Sequence, residues 1–146
     1  MVILSNFAET LFSLMTERKL NAPALAKTLE TDRSNITRYL RGERLPSFTV
    51  FVRMIEFFNV SADVLLGLID YTPTTNFLPE STFSANLQKV MTETKTTQYA
   101  LNKHAGFSSA SVHNWLKGKD LPSADKLVRL AQFMDVSVDY LLGRVK

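Results

Sequence analysis

The sequence predicts an all-α protein made of two tandem five-helix domains. Apolar residues recur at three- and four-residue spacing through both halves of the chain, which is typical of amphipathic helices. Small polar residues and glycines interrupt this pattern at matching places in the two halves, as helix caps do. No segment alternates apolar and polar residues as a half-buried strand would, and 146 residues suffice for two small domains.

A repeat with a fixed offset predicts the domain organisation. Displacing the chain by 76 residues aligns 7–67 with 83–143 without a gap, and 23 of the 61 aligned pairs are identical. A fixed internal offset indicates a duplicated unit. The predicted domains are therefore residues 1–70 and 83–146, joined by a linker over 71–82. The linker contains Pro73 and Pro79, which cannot continue a helix, and its Phe77 and Leu78 are expected to pack on a neighbouring domain.

Helical spacing also predicts which side chains form the core. In the first copy the inward residues are Phe7, Leu11, Leu14 and Met15; Leu25 and Leu29; Ile36, Tyr39 and Leu40; Val50, Phe51, Met54 and Phe57 or Phe58; and Val64, Leu65 and Leu66. Phe133 is expected to lie mostly in the core of the second copy. The predicted N-caps are Asn21, Asp32, Ser47, Ser61, Thr97, Ser108, Ser123 and Ser137, and Gly42, Gly67 and Gly118 are predicted to end helices.

Composition excludes several classes of function. The chain has no cysteine, so it has neither disulfides nor thiolate metal sites, which fits a reducing, cytoplasmic environment. Paired carboxylates, histidines at metal-ligand spacing and glycine-rich phosphate loops are missing from the sequence. We therefore expect no enzymatic activity, no metal, no cofactor and no small-molecule ligand. No apolar run is long enough to span a membrane and no secretory leader is apparent, so no membrane partner is expected.

The net charge of +3 does not by itself indicate a nucleic-acid partner. Residues 1–70 balance eight basic against eight acidic residues, whereas residues 83–146 have nine basic against five acidic ones. The positions of these charges must therefore decide which partner the chain binds.

A combination of short motifs carries the functional prediction. Residues 22–39 and 98–115 each show a helix, a short turn and a second helix. In both copies a glycine, Leu-Pro-Ser and Val-Ser-x-Asp-x-Leu-Leu-Gly follow. This combination resembles the Cro/repressor-type (XRE-like) helix-turn-helix family over nearly all of both copies. The resemblance implies a lambda-repressor-like fold and binding to double-stranded DNA. It also implies a role in transcription regulation, often as a repressor, in bacteria or phages.

Each copy departs from the family pattern at one position. The family favours glycine at the turn and a small alanine inside helix two. The first copy has Glu30 at the turn, and the second copy has Asn102 inside helix two. A non-glycine residue in a left-handed conformation costs roughly 1 kcal/mol, which a folded domain can absorb. Asn102 needs a hydrogen-bond partner or an exposed position.

In this family the second helix of the motif enters the major groove. The outward residues of that helix are therefore predicted to read bases, because arginine pairs with guanine, asparagine pairs with adenine and alanine can touch a thymine methyl group. They are Arg33, Ser34, Thr37 and Arg38 in the first copy, and Ser109, Ala110, His113 and Asn114, beside Ser111, in the second. Because the two sets differ chemically, the copies are expected to read different sequences.

Polar and basic residues around the motif are predicted to contact phosphates. They are Asn21, Arg41 and Arg44 in the first copy and Thr97, Gln98, Lys117 and Lys119 in the second. The family commonly places a phosphate-contacting glutamine at the start of helix two, which Gln98 matches. Because a twelve-residue linker spans at most roughly 40 Å, one chain could place both domains on half-sites about 34–36 Å apart. Such a chain would act as an intramolecular pseudo-dimer, and a homodimer is the other arrangement.

Other interpretations stay open from sequence alone. Arg33 and Arg38 could be solvated surface charges, and His113 could be a pH switch or simply an exposed histidine. Tyr39 and Trp115 could stack on bases, although their spacing favours the core. The second copy, with its neutral outward face, could be a dimerisation or protein-interaction domain, as in an antitoxin-type regulator.

Overall fold

A computed structural model describes residues 2–146 and confirms the all-α fold class, with two tandem five-helix domains of the lambda-repressor-like helix-turn-helix type. The chain separates into two compact units, which end and begin at Thr75 and Asn76. This division lies inside the predicted linker. Among the described residues, none of the helices is both long and apolar enough to cross a lipid bilayer.

The first unit contains α1 to α5, each with an apolar face turned inward. The helices are α1 (Val2–Glu17), α2 (Ala22–Leu29), α3 (Arg33–Leu40), α4 (Phe48–Phe58) and α5 (Ala62–Leu65). Phe7, Leu25, Ile36, Phe51 and Leu65 are completely buried, so all five helices supply side chains to one core. Burial of this apolar area is the main force that holds such short helices together.

The second unit repeats this arrangement with α6 to α10. The helices are α6 (Phe83–Thr94), α7 (Gln98–Lys103), α8 (Ser109–Lys117), α9 (Ala124–Met134) and α10 (Val138–Leu141). Its core is built from residues such as Leu87, Leu101, Val112, Leu127 and Leu141, all of which are buried. The α7 helix is two residues shorter than α2, a difference that originates at the turn before α8.

The backbone turns of the two domains coincide. All positive φ angles among the described residues fall into five pairs of residues 76 positions apart. The pairs are Lys19 with Lys95, Glu30 with Gly106, Gly42 with Gly118, Asn59 with Asp135, and Gly67 with Gly143. Left-handed residues end helices and redirect the chain. The duplication is therefore exact at the sites where chain direction is set, whichever residue occupies them.

Most of the predicted N-caps are confirmed. The side chains of Asn21, Ser47, Ser61, Thr97, Ser108 and Ser137 each accept a hydrogen bond from a backbone N–H in the first turn. Asp32 and Ser123 also occupy the predicted N-cap positions with extended backbones, but their side chains make no cap bond. The Ser123 hydroxyl donates to Asp125 instead. The exposed Asp32 carboxylate remains hydrated, and hydration offsets most of what a cap bond would contribute.

Core assignments were wrong for one aromatic residue. Phe133 is 39% exposed, whereas its aligned partner Phe57 is half-buried. The Arg18 guanidinium lies 5.5 Å from the Phe57 ring centre and donates to the Phe57 carbonyl oxygen at 3.4 Å. The second domain has Thr94 at the position aligned with Arg18, and this side chain is too short to cover Phe133. Of the two phenylalanines that the sequence left open, Phe58 is the buried one.

Three residues predicted to be inward are only half-buried, namely Leu14, Leu40 and Val64. They lie at the edges of the apolar stripes on their helices. A stripe wider than the contact it makes leaves its margins partly exposed.

Candidate nucleic-acid interface

The turn between α2 and α3 is fixed by backbone hydrogen bonds and braced from α4. Glu30 has φ of 55° and its N–H donates to the Lys27 carbonyl at 3.3 Å, while the N–H of Thr31 donates to the Ala26 carbonyl at 2.9 Å. Arg53 donates to the Leu29 carbonyl at 3.1 Å and lies 3.2 Å from the Glu30 carboxylate. The departure from the family pattern at Glu30 is therefore accommodated in a left-handed conformation, beside an arginine.

The turn between α7 and α8 reaches the same conformation with different residues. Gly106 has φ of 79°, and Asn102 donates through Nδ2 to the Phe107 carbonyl at 2.8 Å. This bond supplies the partner that Asn102 required. Arg129, aligned with Arg53, donates to the Ala105 carbonyl at 2.9 Å and covers the Phe107 ring at 4.3 Å. In both domains, then, the arginine of the fourth helix holds the turn of the motif in place.

Buried aromatic residues hold the second helix of each motif. On α3, Tyr39 is buried and meets Phe7 edge-on at 6.0 Å between ring centres. Burial raises the pKa of the Tyr39 hydroxyl, and the charge of Arg44 partly opposes this rise. On α8, Trp115 is buried and meets Phe107 edge-on at 5.3 Å. Tyr39 and Trp115 are core residues, so neither is available to stack on bases.

The outward face of α3 carries the arginines. Arg33, Ser34 and Arg38 are exposed, and Thr37 is half-buried, with its hydroxyl donating to the Arg33 carbonyl at 3.2 Å. Together with Arg41 these four side chains line one shallow depression, which Asp32 and Glu43 also border. The depression thus presents three guanidinium groups beside two carboxylates.

The outward face of α8 has almost no charge. Ser109, Ala110 and His113 are exposed, while Ser111 and Asn114 are half-buried. The Ser108 hydroxyl donates to the Ser111 hydroxyl at 2.8 Å, so Ser111 is already engaged at the start of the helix. The surface chemistry of this helix therefore differs from that of α3.

A groove beside α8 collects polar side chains from three helices. Its lining residues are Gln88, Met91, Thr92, Thr96, Thr97, Gln98, His113, Leu116 and Lys117. The Thr97 hydroxyl accepts from the Ala100 N–H at 3.0 Å and keeps its own hydrogen available to donate. The groove thus brings His113 together with Thr97, Gln98 and Lys117, and its lining contains no carboxylate. Asn21, Arg44 and Lys119 are exposed but lie outside both depressions.

Two exposed aromatic residues were not anticipated. Phe12 on α1 is 63% exposed and Tyr99 on α7 is 67% exposed. Phe12 aligns with Gln88, which lines the groove of the second domain. The exposure of Phe12 could have been predicted from the sequence, because Phe12 falls outside the apolar stripe formed by Phe7, Leu11 and Met15. Tyr99 directly follows Gln98 and meets His104 edge-on at 6.2 Å.

Family comparisons agree with this geometry. A model described as "Helix-turn-helix domain" matches residues 6–66, and a second, described as "Helix-turn-helix", matches residues 87–141. Both halves of the chain are helix-turn-helix domains. They follow one another along the chain and are of the Cro/repressor type, as the motifs predicted. Comparisons with curated proteins and with solved structures return no significant match.

Membership of the helix-turn-helix class assigns DNA binding to the chain. In a helix-turn-helix domain the first helix of the motif crosses the DNA backbone and the second lies in the major groove. These helices are α2 and α3 in the first domain and α7 and α8 in the second. We refer to α3 and α8 as the recognition helices.

Proposed function

We propose that the chain is a transcription regulator that binds double-stranded DNA sequence-specifically, with one recognition helix in the major groove for each domain. The observation that carries this proposal is the outward face of α3, where Arg33 and Arg38 are exposed on a helix locked by buried Ile36 and Tyr39. A rigid helix that presents flexible bidentate donors is suited to reading base edges.

In the first domain, Arg33 and Arg38 read guanine, and Ser34 and Thr37 make the permissive contacts between them. Arg41 lines the same depression one turn later and contacts a phosphate. Arg44 and Asn21, which are exposed outside the depression, also contact phosphates. The carboxylates of Asp32 and Glu43 limit how closely a phosphate can approach either end of the depression. This arrangement favours base contacts at the centre of the face.

In the second domain, Asn114 reads adenine, Ala110 touches a thymine methyl group and Ser109 makes a permissive contact. His113 lines the groove that also holds Thr97, Gln98 and Lys117, so we assign it to a backbone phosphate rather than to a base. Lys119 completes the phosphate contacts.

Because the two recognition faces differ, we propose that one chain acts as a pseudo-dimer on an asymmetric two-part site. The α3 half of the site is expected to contain guanines, and the α8 half is expected to be richer in adenine and thymine. A homodimer on a palindromic site is the competing arrangement. It would present two α3 helices or two α8 helices to identical half-sites.

The test is selection of bound duplexes from random DNA, using the wild type, Arg33→Ala/Arg38→Ala and Ser109→Ala/Asn114→Ala. We expect a two-part asymmetric site in the wild type and loss of preference in only one half for each double variant. Each arginine contributes about 1–3 kcal/mol of discrimination, or roughly 5- to 150-fold. Lys19→Ala/Lys27→Ala removes the same charge from exposed positions on the first domain and serves as the control. Enrichment of a palindrome would contradict the pseudo-dimer, and enrichment of no sequence would contradict specific binding.

A second function is favoured by one observation. The second domain exposes Tyr99, Leu121 and Phe133, and its recognition helix is nearly neutral, which suits a dimerisation or protein-interaction surface. The salt dependence of DNA affinity separates the two roles, since each phosphate contact adds about 0.9 to the slope of log affinity against log salt. If Lys117→Ala/Lys119→Ala leaves the slope unchanged, these lysines make no phosphate contacts, and the result favours the interaction role. A slope lowered by roughly 2 shows that it binds DNA.

A further inference from the structure

The segment that joins the domains is held on the second domain over half its length. We call residues 76–82 the strap. The Arg144 guanidinium lies 3.8 Å from the Phe77 ring centre, and the Leu78 N–H donates to the Arg144 carbonyl at 2.8 Å. The strap therefore begins to be fixed at Phe77, well before α6 starts at Phe83.

Arg144, on which Phe77 stacks, is itself held in place by an ion pair. Arg144 donates to the Asp139 carboxylate at 2.8 Å, and only 12% and 4% of the two side chains are exposed. A mostly buried ion pair restricts the guanidinium plane, so Phe77 stacks on a preformed surface. The position aligned with Arg144 in the first domain is Leu68, so this stack occurs in the second domain alone.

The far end of the strap is held as well. A Cβ atom added to Gly143 would lie 2.6 Å from the Ser81 hydroxyl oxygen and 2.7 Å from Asn86 Oδ1, so the strap lies directly against this glycine. Asn86 also donates to the Leu142 carbonyl at 3.0 Å. In the first domain the residue that approaches the aligned Gly67 is Asn6, which belongs to α1 itself.

We infer that Phe77 and Arg144 are specificity-determining residues that limit the spacing between the two halves of the DNA site, an inference that rests on the proposed two-reader function. At the end of the first domain's helices, the Leu68 N–H donates to the Asp63 carbonyl at 2.9 Å. From Leu68 to Phe77 the chain spans at most roughly 30 Å. With the strap released, the span from Leu68 to Thr82 is roughly 48 Å.

The first experiment measures this span without DNA. Because the chain has no cysteine, Ser13→Cys and Gln132→Cys place one dye at an exposed position on each domain. Single-molecule energy transfer is then compared between the wild-type strap and Phe77→Ala. We expect a longer and broader distance distribution in Phe77→Ala. Tyr71→Ala removes an exposed aromatic residue from the part of the linker that precedes the strap, and it should leave the distance distribution unchanged.

Arg144→Lys tests the stacking contact separately, since it keeps a positive charge for Asp139 but removes the planar group above Phe77. It should lengthen the distances as Phe77→Ala does, while thermal unfolding of the second domain stays close to that of the wild type. Distance distributions that are the same in all variants would overturn the inference.

The second experiment measures affinity for the selected two-part site as the gap between its halves grows by one base pair at a time. Phe77→Ala should still bind with both domains at gaps beyond the wild-type limit, by at most about five base pairs at about 3.4 Å per base pair, the value reached when the whole strap is released. At the best wild-type gap it should bind about twofold more weakly, because a longer tether lowers the effective concentration of the second domain. An unchanged gap limit would overturn the inference. If the wild type selects no two-part site, the proposed function fails, and the dye distances still decide whether the strap limits the span.

Discussion

The two recognition helices share a backbone and differ in nearly every outward side chain. Both follow a turn with a left-handed residue and are braced by Arg53 or Arg129. At aligned outward positions, however, α3 presents arginines where α8 presents Ser109 and Asn114. The positions that fix the fold are buried or have special backbone angles, and the positions that we propose to meet DNA are neither. The two copies therefore keep one backbone geometry while their outward side chains differ.

The largest expected effect concerns the independence of the two domains. Leu11 and Leu87 occupy aligned, completely buried positions, and Leu→Ala at such sites costs about 2–5 kcal/mol. We expect Leu11→Ala to lower the unfolding temperature of the first domain only, and Leu87→Ala that of the second only. Calorimetry of each variant should show one shifted and one unshifted transition. A joint shift of both transitions would show that the domains unfold as one unit.

A difference in alkaline stability should follow from the aligned pair Tyr39 and Trp115. Burial raises the pKa of Tyr39 in the folded domain, so the unfolded chain loses this proton first. The resulting stability is present below about pH 10 and is lost, by up to about 1.4 kcal/mol per pH unit, as the pH rises towards the folded pKa. Trp115 does not titrate, so the second domain lacks this contribution.

Denaturant unfolding between pH 9 and pH 11 measures the effect for each domain. Tyr39→Phe should abolish the extra alkaline sensitivity of the first domain. If the first domain keeps its excess sensitivity in Tyr39→Phe, some other group causes it.

Exchanging the residues at the two turns tests whether both domains have the same backbone geometry there. Glu30→Gly should stabilise the first domain and Gly106→Glu should destabilise the second, each by about 1 kcal/mol, because only glycine adopts positive φ without strain. A Cβ on Gly106 would meet only the end of Arg129, at 3.5 Å, so the cost is conformational rather than steric. Paired denaturant titrations check the signs. Effects of the same sign in both domains would contradict a shared turn geometry.

The smallest expected effect concerns one phosphate contact in the second domain. His113 lines the groove together with Lys117, so His113→Ala should lower DNA affinity about two- to tenfold at constant pH through the loss of one hydrogen bond. Fluorescence anisotropy with a labelled duplex measures this change. His104→Asn is the control, since the chain has only two histidines, and it should leave the affinity unchanged. An affinity that falls in His104→Asn and not in His113→Ala would remove His113 from the phosphate contacts.

The helices, the duplication and the outward faces of the recognition helices are all predictable from the sequence. Apolar spacing and helix caps are local properties of the chain, so they can be read from short stretches of residues. The 76-residue offset transfers each of these assignments from one copy to the other. The motifs likewise identify the helix-turn-helix family from sequence alone.

Contacts between side chains far apart in the chain follow from packing instead. Phe57 is covered because Arg18 reaches it from another helix, whereas Thr94, at the aligned position in the second domain, is too short to cover Phe133. His113 joins the groove because α6, α7 and α8 converge there, and the strap is held by Arg144, 67 residues after Phe77. These contacts depend on packing between segments far apart in the chain, which spacing rules of a few residues do not encode.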